Sequence, residues 1–238
     1  MAEYLEANTL FTLYGDAKDS KQRTNWTTNY SNYDPKTFSG RDKETQLANL
    51  NMINQMSGKL ADIYSAELSS LGLSSDKFMD SIRRVAFAES SLKSKQTSKT
   101  GVVGLMQVTG VTARDLIQQG IVGKKAIGFL KMPKDLVDVI KKTDIYDKDG
   151  NVIPLPGQYG KQLRDILSDD KKSVVFGAGK ITQAGMKYRS DKKPEVKGGD
   201  IGRTEIEPTF ARTPGNAGIE GEMFRNRIVP DDPYFNGR

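Results

Sequence analysis

The chain contains neither cysteine nor histidine. Without cysteine no disulfide can form, and the redox setting stays open. Without either residue, Ser-His-Asp and Cys-His nucleophilic catalysis and the common zinc sites are excluded. Bond-breaking chemistry must therefore come from carboxylates, Tyr, Lys or backbone groups. No apolar run approaches the roughly 20 residues that span a bilayer. The opening stretch MAEYLEANTLFTLYG has no basic start followed by an apolar core, so a secretory signal is not expected. Internal repeats and low-complexity tracts are missing as well.

Apolar content is also low, at 36%, with a mean hydropathy of −0.57. The 238 residues can still bury a sizeable core, so the expectation is one domain of moderate size with extended or partner-dependent segments. The net charge is +6 and the isoelectric point about 9.3. That excess suits an anionic polymer or an acidic protein partner, and equally a solvated surface, because Lys and Arg are dispersed. No zinc-finger or RNA-recognition signature is present, and nucleic acid is not expected as a partner.

The informative stretch is Phe78 to Gln107, FMDSIRRVAFAESSLKSKQTSKTGVVGLMQ. Phe78, Ile82, Val85 and Leu92 follow helical spacing, and position 89 falls in the gap between the last two. Glu89 thus stands where an apolar residue is expected, flanked by Ala86 and Ala88. A carboxylate there must be paired, hydrogen-bonded or partly protonated, because desolvation disfavours its charge. At the lip of a core it suits general-acid chemistry. The alternative is that Glu89 only borders the stripe and reaches water or an Arg. Beyond the helix, Gly101 and Gly104 permit a tight backbone, and Leu105-Met106-Gln107 offers apolar and amide groups to a ligand.

These residues resemble the catalytic motif of the soluble lytic transglycosylases, lysozyme-like enzymes that cut peptidoglycan glycan strands. Glu89-Ser90, Ser98, Gly101 and Gly104-Leu105-Met106-Gln107 fit that pattern, with Val102 where Ala is usual. Gly177-Ala178 resembles a Gly-Ala pair on a later family helix. Asn216-Ala217-Gly218 matches the end of an Ala-Tyr-Asn-Ala-Gly segment, with Gly215 in place of Tyr. The resemblance implies Glu89 as the catalytic acid, and Ser90, Ser98, Met106, Gln107 and Asn216 as cleft residues holding sugar. It implies no cofactor and no metal.

In chain order, residues 1–42 are polar and without strong periodicity, and read as an N-terminal arm that wraps a partner or the main domain. From Lys43 to Leu71, Leu50, Ile53, Met56, Leu60, Ile63, Tyr64, Leu68 and Leu71 recur at helical steps, with Gly58 as a break candidate and Gly72 as a stop. Ser74 or Ser75 is expected to cap the Glu89 helix. Further helices are expected over Val111–Gln119 and Ser173–Tyr188. The stretch at about 120–168 reads as an insertion with a β-hairpin turning at Asp149-Gly150, preferred over a calcium loop because no Glu closes it. Residues 43–238 are taken as the main domain, with a closing helix near Glu220 to Val229 and an extended tail over about 230–238.

The expected fold is mainly α, a lysozyme-like transglycosylase domain with a small β-hairpin insertion and extended N- and C-terminal segments. The expected activity is cleavage of the β-1,4 bond between N-acetylmuramic acid and N-acetylglucosamine, giving a 1,6-anhydro sugar without a second catalytic carboxylate. A hydrolytic muramidase would need a base for water, and the nearest downstream candidate, Asp115, reads as a surface charge. The rival from another class is a structural virion component that retains the fold. A bacteriophage particle is the expected setting, acting in the host periplasm, with the arm and the insertion docking other virion or tail proteins.

Overall fold

The computed structural model describes residues 20–93 and 104–192, with side chains over 25–93 and 104–187. Ser98, Gly101, Asn216, the segment around Gly215, the expected closing helix and the tail lie outside the described residues. Among the described residues there are ten α-helices and no strand, in keeping with the mainly α expectation. They are α1 Ser20–Ser31, α2 Lys43–Gln55, α3 Ser57–Ile63, α4 Ser65–Leu71, α5 Ser75–Ser90, α6 Gly110–Gln118, α7 Lys124–Leu130, α8 Lys134–Lys142, α9 Tyr159–Leu167 and α10 Asp170–Lys192.

The axis of the fold is α10. Every residue from Ser173 to Gly185 is buried, including Val174, Val175, Phe176, Ala178 and Ile181. A helix this rich in small and apolar residues tends to be enclosed, and α10 packs against α2, α4, α5, α6, α7 and α9. Tyr64, fully buried, donates its hydroxyl to the Val175 carbonyl at 2.6 Å, so even its polar atom is satisfied. Burial raises the Tyr64 phenol above its ordinary pKa.

The expected stripes are in place. Phe78, Ile82 and Val85 of α5 and Leu92 after it are fully buried, each contributing about 1.5–3 kcal/mol of transfer free energy. All eight apolar positions named between Leu50 and Leu71 are buried. That segment is three helices rather than one, broken at Met56 and Tyr64, and Gly58 sits just inside α3. Gly72 ends α4 in the left-handed region at φ 63°. The Ser74 hydroxyl caps α5 by accepting the Lys77 backbone N–H at 3.3 Å.

Two expectations need correction. The β-hairpin is not formed: Tyr146 and Val152 make one isolated antiparallel bridge. The Asp147 carboxylate closes the turn by accepting the N–H groups of Asp149 and Asn151 at 2.9 and 2.8 Å. The ladder does not lengthen, because the Ile153 and Thr143 carbonyls that its next pairs would use are taken by side chains. Buried Arg114 donates to the Ile153 and Asp144 carbonyls at 2.5 and 2.7 Å, and Gln118 donates to Thr143 at 2.8 Å. Much of the rest of 120–168 is helical, forming α7, α8 and α9. The second correction is at the N-terminal side, where an extended segment was expected. Residues 20–31 are α1, and the turns Pro35–Thr37 and Gly40–Asp42 lead into α2.

Candidate active site

Glu89 lies in the last turn of α5, half-buried, in line with Phe78, Ile82 and Val85. Its position follows from the stripe: the face that reaches the core at Val85 reaches the core's edge one turn later. The chain then leaves the helix sharply. Ser91 and Leu92 both adopt left-handed backbone, at φ 53° and 56°. For residues with a Cβ this costs about 1–2 kcal/mol each, so the surroundings must hold it. Ser91 N–H donates to the Phe87 carbonyl at 2.8 Å. From α2, Gln46 donates to the Ser91 carbonyl at 3.1 Å and Asn49 to the Leu92 carbonyl at 2.8 Å. Lys93 pairs with Asp42 at 2.5 Å. Strain persists where neighbours over-determine it, and such places gather at functional sites.

The turn Gly104–Gln107 packs on α10. Gly104 has φ 77°, and a Cβ there would overlap the Leu167 carbonyl oxygen and the Ser173 side chain. Only glycine fits. Met106 N–H donates to the Ser173 hydroxyl at 3.0 Å, and the Met106 side chain fills the space left by Gly177. Gln107, half-buried and left-handed at φ 47°, turns its amide back to the Gly104 carbonyl at 2.8 Å.

Of the residues named from the sequence, Glu89 and Gln107 are half-buried. Ser90 is buried, and its hydroxyl donates to the Ala86 carbonyl at 3.0 Å. Met106 is fully buried. Asp115 accepts from Gln119 at 2.7 Å and from Gln183 at 2.8 Å, in the contact between α6 and α10. No group of three or more potential metal ligands occurs among the described residues. None of the described helices is long and apolar enough to cross a membrane.

Sequence reasoning missed Trp26. Its indole Nε1–H donates to Glu89 Oε1 at 2.8 Å, from α1, which packs along α5. Trp26 stacks on Tyr30 with ring centroids 5.5 Å apart and planes 13° from parallel. Arg84 of α5 donates to the Tyr30 carbonyl at 3.2 Å, lies 5.9 Å from the Tyr30 ring centroid and bonds Asp80 at 2.7 Å. A cation at the carbonyl end of a helix also meets its dipole favourably. Tyr33, Phe38 and Phe87 continue this aromatic layer, with centroids 5.7–6.3 Å apart. One signal for it existed: Trp26 is the sole tryptophan, and Tyr30 follows one helical turn later.

The Transglycosylase SLT domain family model matches residues 78–143, less than a third of the chain. The match includes Glu89 and Gln107 and continues through α6, α7 and α8. No curated protein and no solved structure matches the chain. Over residues 78–143 the chain is therefore similar to the lytic transglycosylases, and the similarity is to the segment built around Glu89.

Proposed function

We propose that the protein is a peptidoglycan lytic transglycosylase with Glu89 as its acid and base. One observation carries the reading: within the family-matched segment, a half-buried carboxylate ends an apolar stripe beside a strained turn that two α2 side chains hold. In the proposed sequence, Glu89 protonates the glycosidic oxygen, which leaves as the 4-hydroxyl of N-acetylglucosamine. The muramic acetamido oxygen attacks C1 in its place. Ionised Glu89 then takes the proton of the C6 hydroxyl, and O6 displaces the acetamido oxygen from C1. The product is 1,6-anhydro-N-acetylmuramic acid, and Glu89 ends protonated again. One carboxyl serves both steps, unlike the two-carboxylate glycosidases.

Mass spectrometry of peptidoglycan digested by the wild type and by Glu89→Gln tests this. Anhydromuropeptides from the wild type alone support it. Reducing-end muropeptides would make the protein a hydrolase, and no product from either would favour a structural role. A particle-borne setting, with the N-terminal arm over residues 1–42 and the stretch at about 120–168 as docking elements for virion or tail proteins and Ser98 and Asn216 as sugar contacts, belongs to the same proposal. Detection of the chain in purified particles supports that setting, and its presence only outside particles sinks it.

A further inference from the structure

We infer that Trp26 is the positioning residue for Glu89, and that it decides which carboxyl oxygen carries the catalytic proton. The inference rests on the transglycosylase reading for its activity arm and on geometry alone for its contact arm. An indole N–H can donate and cannot accept. With Trp26 Nε1 at 2.8 Å, Glu89 Oε1 is held as the acceptor in both protonation states. In the acid form the proton therefore sits on Oε2, which becomes the oxygen presented to the glycosidic bond.

The mounting of Trp26 fits this role. It is 8% exposed, its ring is covered by Tyr30, and α1 is tied to α5 by Arg84 below it. The indole is thus a fixed donor rather than a platform for sugar. It comes from a helix outside the family-matched residues 78–143 and far from Glu89 in sequence. The α5 backbone places the Glu89 carboxyl group, and the α1 indole bonds one of its two oxygens.

The sole tryptophan is its own reporter. In the intact chain, Trp26 emission is followed against pH in the wild type and in Glu89→Gln. A transition present in the wild type and lost in Glu89→Gln supports the contact, and identical profiles overturn it. In the activity arm, Trp26→Phe keeps a ring against Tyr30 and removes the donor. Replacing the only tryptophan with benzothienylalanine keeps the shape as well, which guards against a variant that fails to fold. Both are expected to lower kcat about ten- to hundred-fold with KM unchanged. Unchanged kcat in either folded variant overturns the inference. Wild-type protein that shows the Glu89-dependent transition yet releases no muropeptides overturns the transglycosylase reading and supports the contact.

Discussion

Glu89 stands between two helices that are attached in different ways. Helix α5 is attached by a stripe: Phe78, Ile82 and Val85 are fully buried, and the hydrophobic effect places the helix whatever its polar face carries. Helix α1 has the sequence SKQRTNWTTNYS, with two large apolar residues. Among its described side chains, attachment is by points that include the Trp26 and Tyr30 rings and the Arg84 bonds to its last carbonyls. A stripe distributes its free energy over many contacts and tolerates the loss of one. A point attachment concentrates it and delivers a directed hydrogen bond. The site uses the first to build a floor and the second to aim a group.

The largest expected effect comes from the floor's own carboxyl. Glu89→Gln should lower muropeptide release about 10²- to 10⁴-fold with the thermal midpoint little changed, because the amide keeps the shape and loses the proton. Next is the turn facing α10. Gly104→Ala should destabilise the fold by about 2–4 kcal/mol in urea titration, since a Cβ there meets the Leu167 carbonyl oxygen in a left-handed conformation. A loss below about 0.5 kcal/mol would mean that the turn is not seated as described.

The point attachment should fail more locally. Arg84→Met is expected to cost about 1 kcal/mol, read as faster amide hydrogen exchange in α1 with α5 protected. Equal exchange in both helices would erase the distinction between them. Tyr33, in the same aromatic layer, is buried, and its hydroxyl has no hydrogen-bond partner among the described residues. Burial pushes its pKa up to about 12 from an ordinary value near 10. An acid that titrates higher when folded stabilises fully below its unfolded value, and that stability is lost as pH rises from about 10 to 12. Tyr64 acts in the same direction. Tyr33→Phe should therefore leave neutral stability unchanged or raised and flatten part of the alkaline decline. The smallest effect serves as a control. Lys161 and Asp165 pair at 2.7 Å on the exposed face of α9, and Lys161→Ala should shift stability by less than about 0.5 kcal/mol.

Much of this was legible in the residues. The apolar spacing of α2 to α5, the Ser74 cap, the Gly72 stop and the anomalous place of Glu89 all depend on neighbours within a few residues. Periodicity reports such neighbours directly. The hairpin expectation failed for a non-local reason. Asp149-Gly150 does form a turn, but Arg114 and Gln118 claim the carbonyls that a longer ladder would need. The extended reading of the N-terminal arm failed similarly over Ser20–Ser31, because α1 carries no stripe and its anchors are on α5, while its packing on the main domain was one of the expected alternatives. Ser90 and Met106 were named as sugar contacts, and the fold turns both inward, one onto its own helix and the other beneath Gly177.

The sequence by itself determined that chemistry here could not use Cys or His, that α5 would lay one face on a core, and that Glu89 would interrupt that face. These follow from residue type and helical period. Only the tertiary structure decided that Trp26 meets Glu89, that Gln46 and Asn49 hold the strained turn after it, and that the 104–107 turn rests on α10. Each of those depends on groups brought together across long stretches of chain, where distance and direction belong to the packing and leave no mark on local pattern.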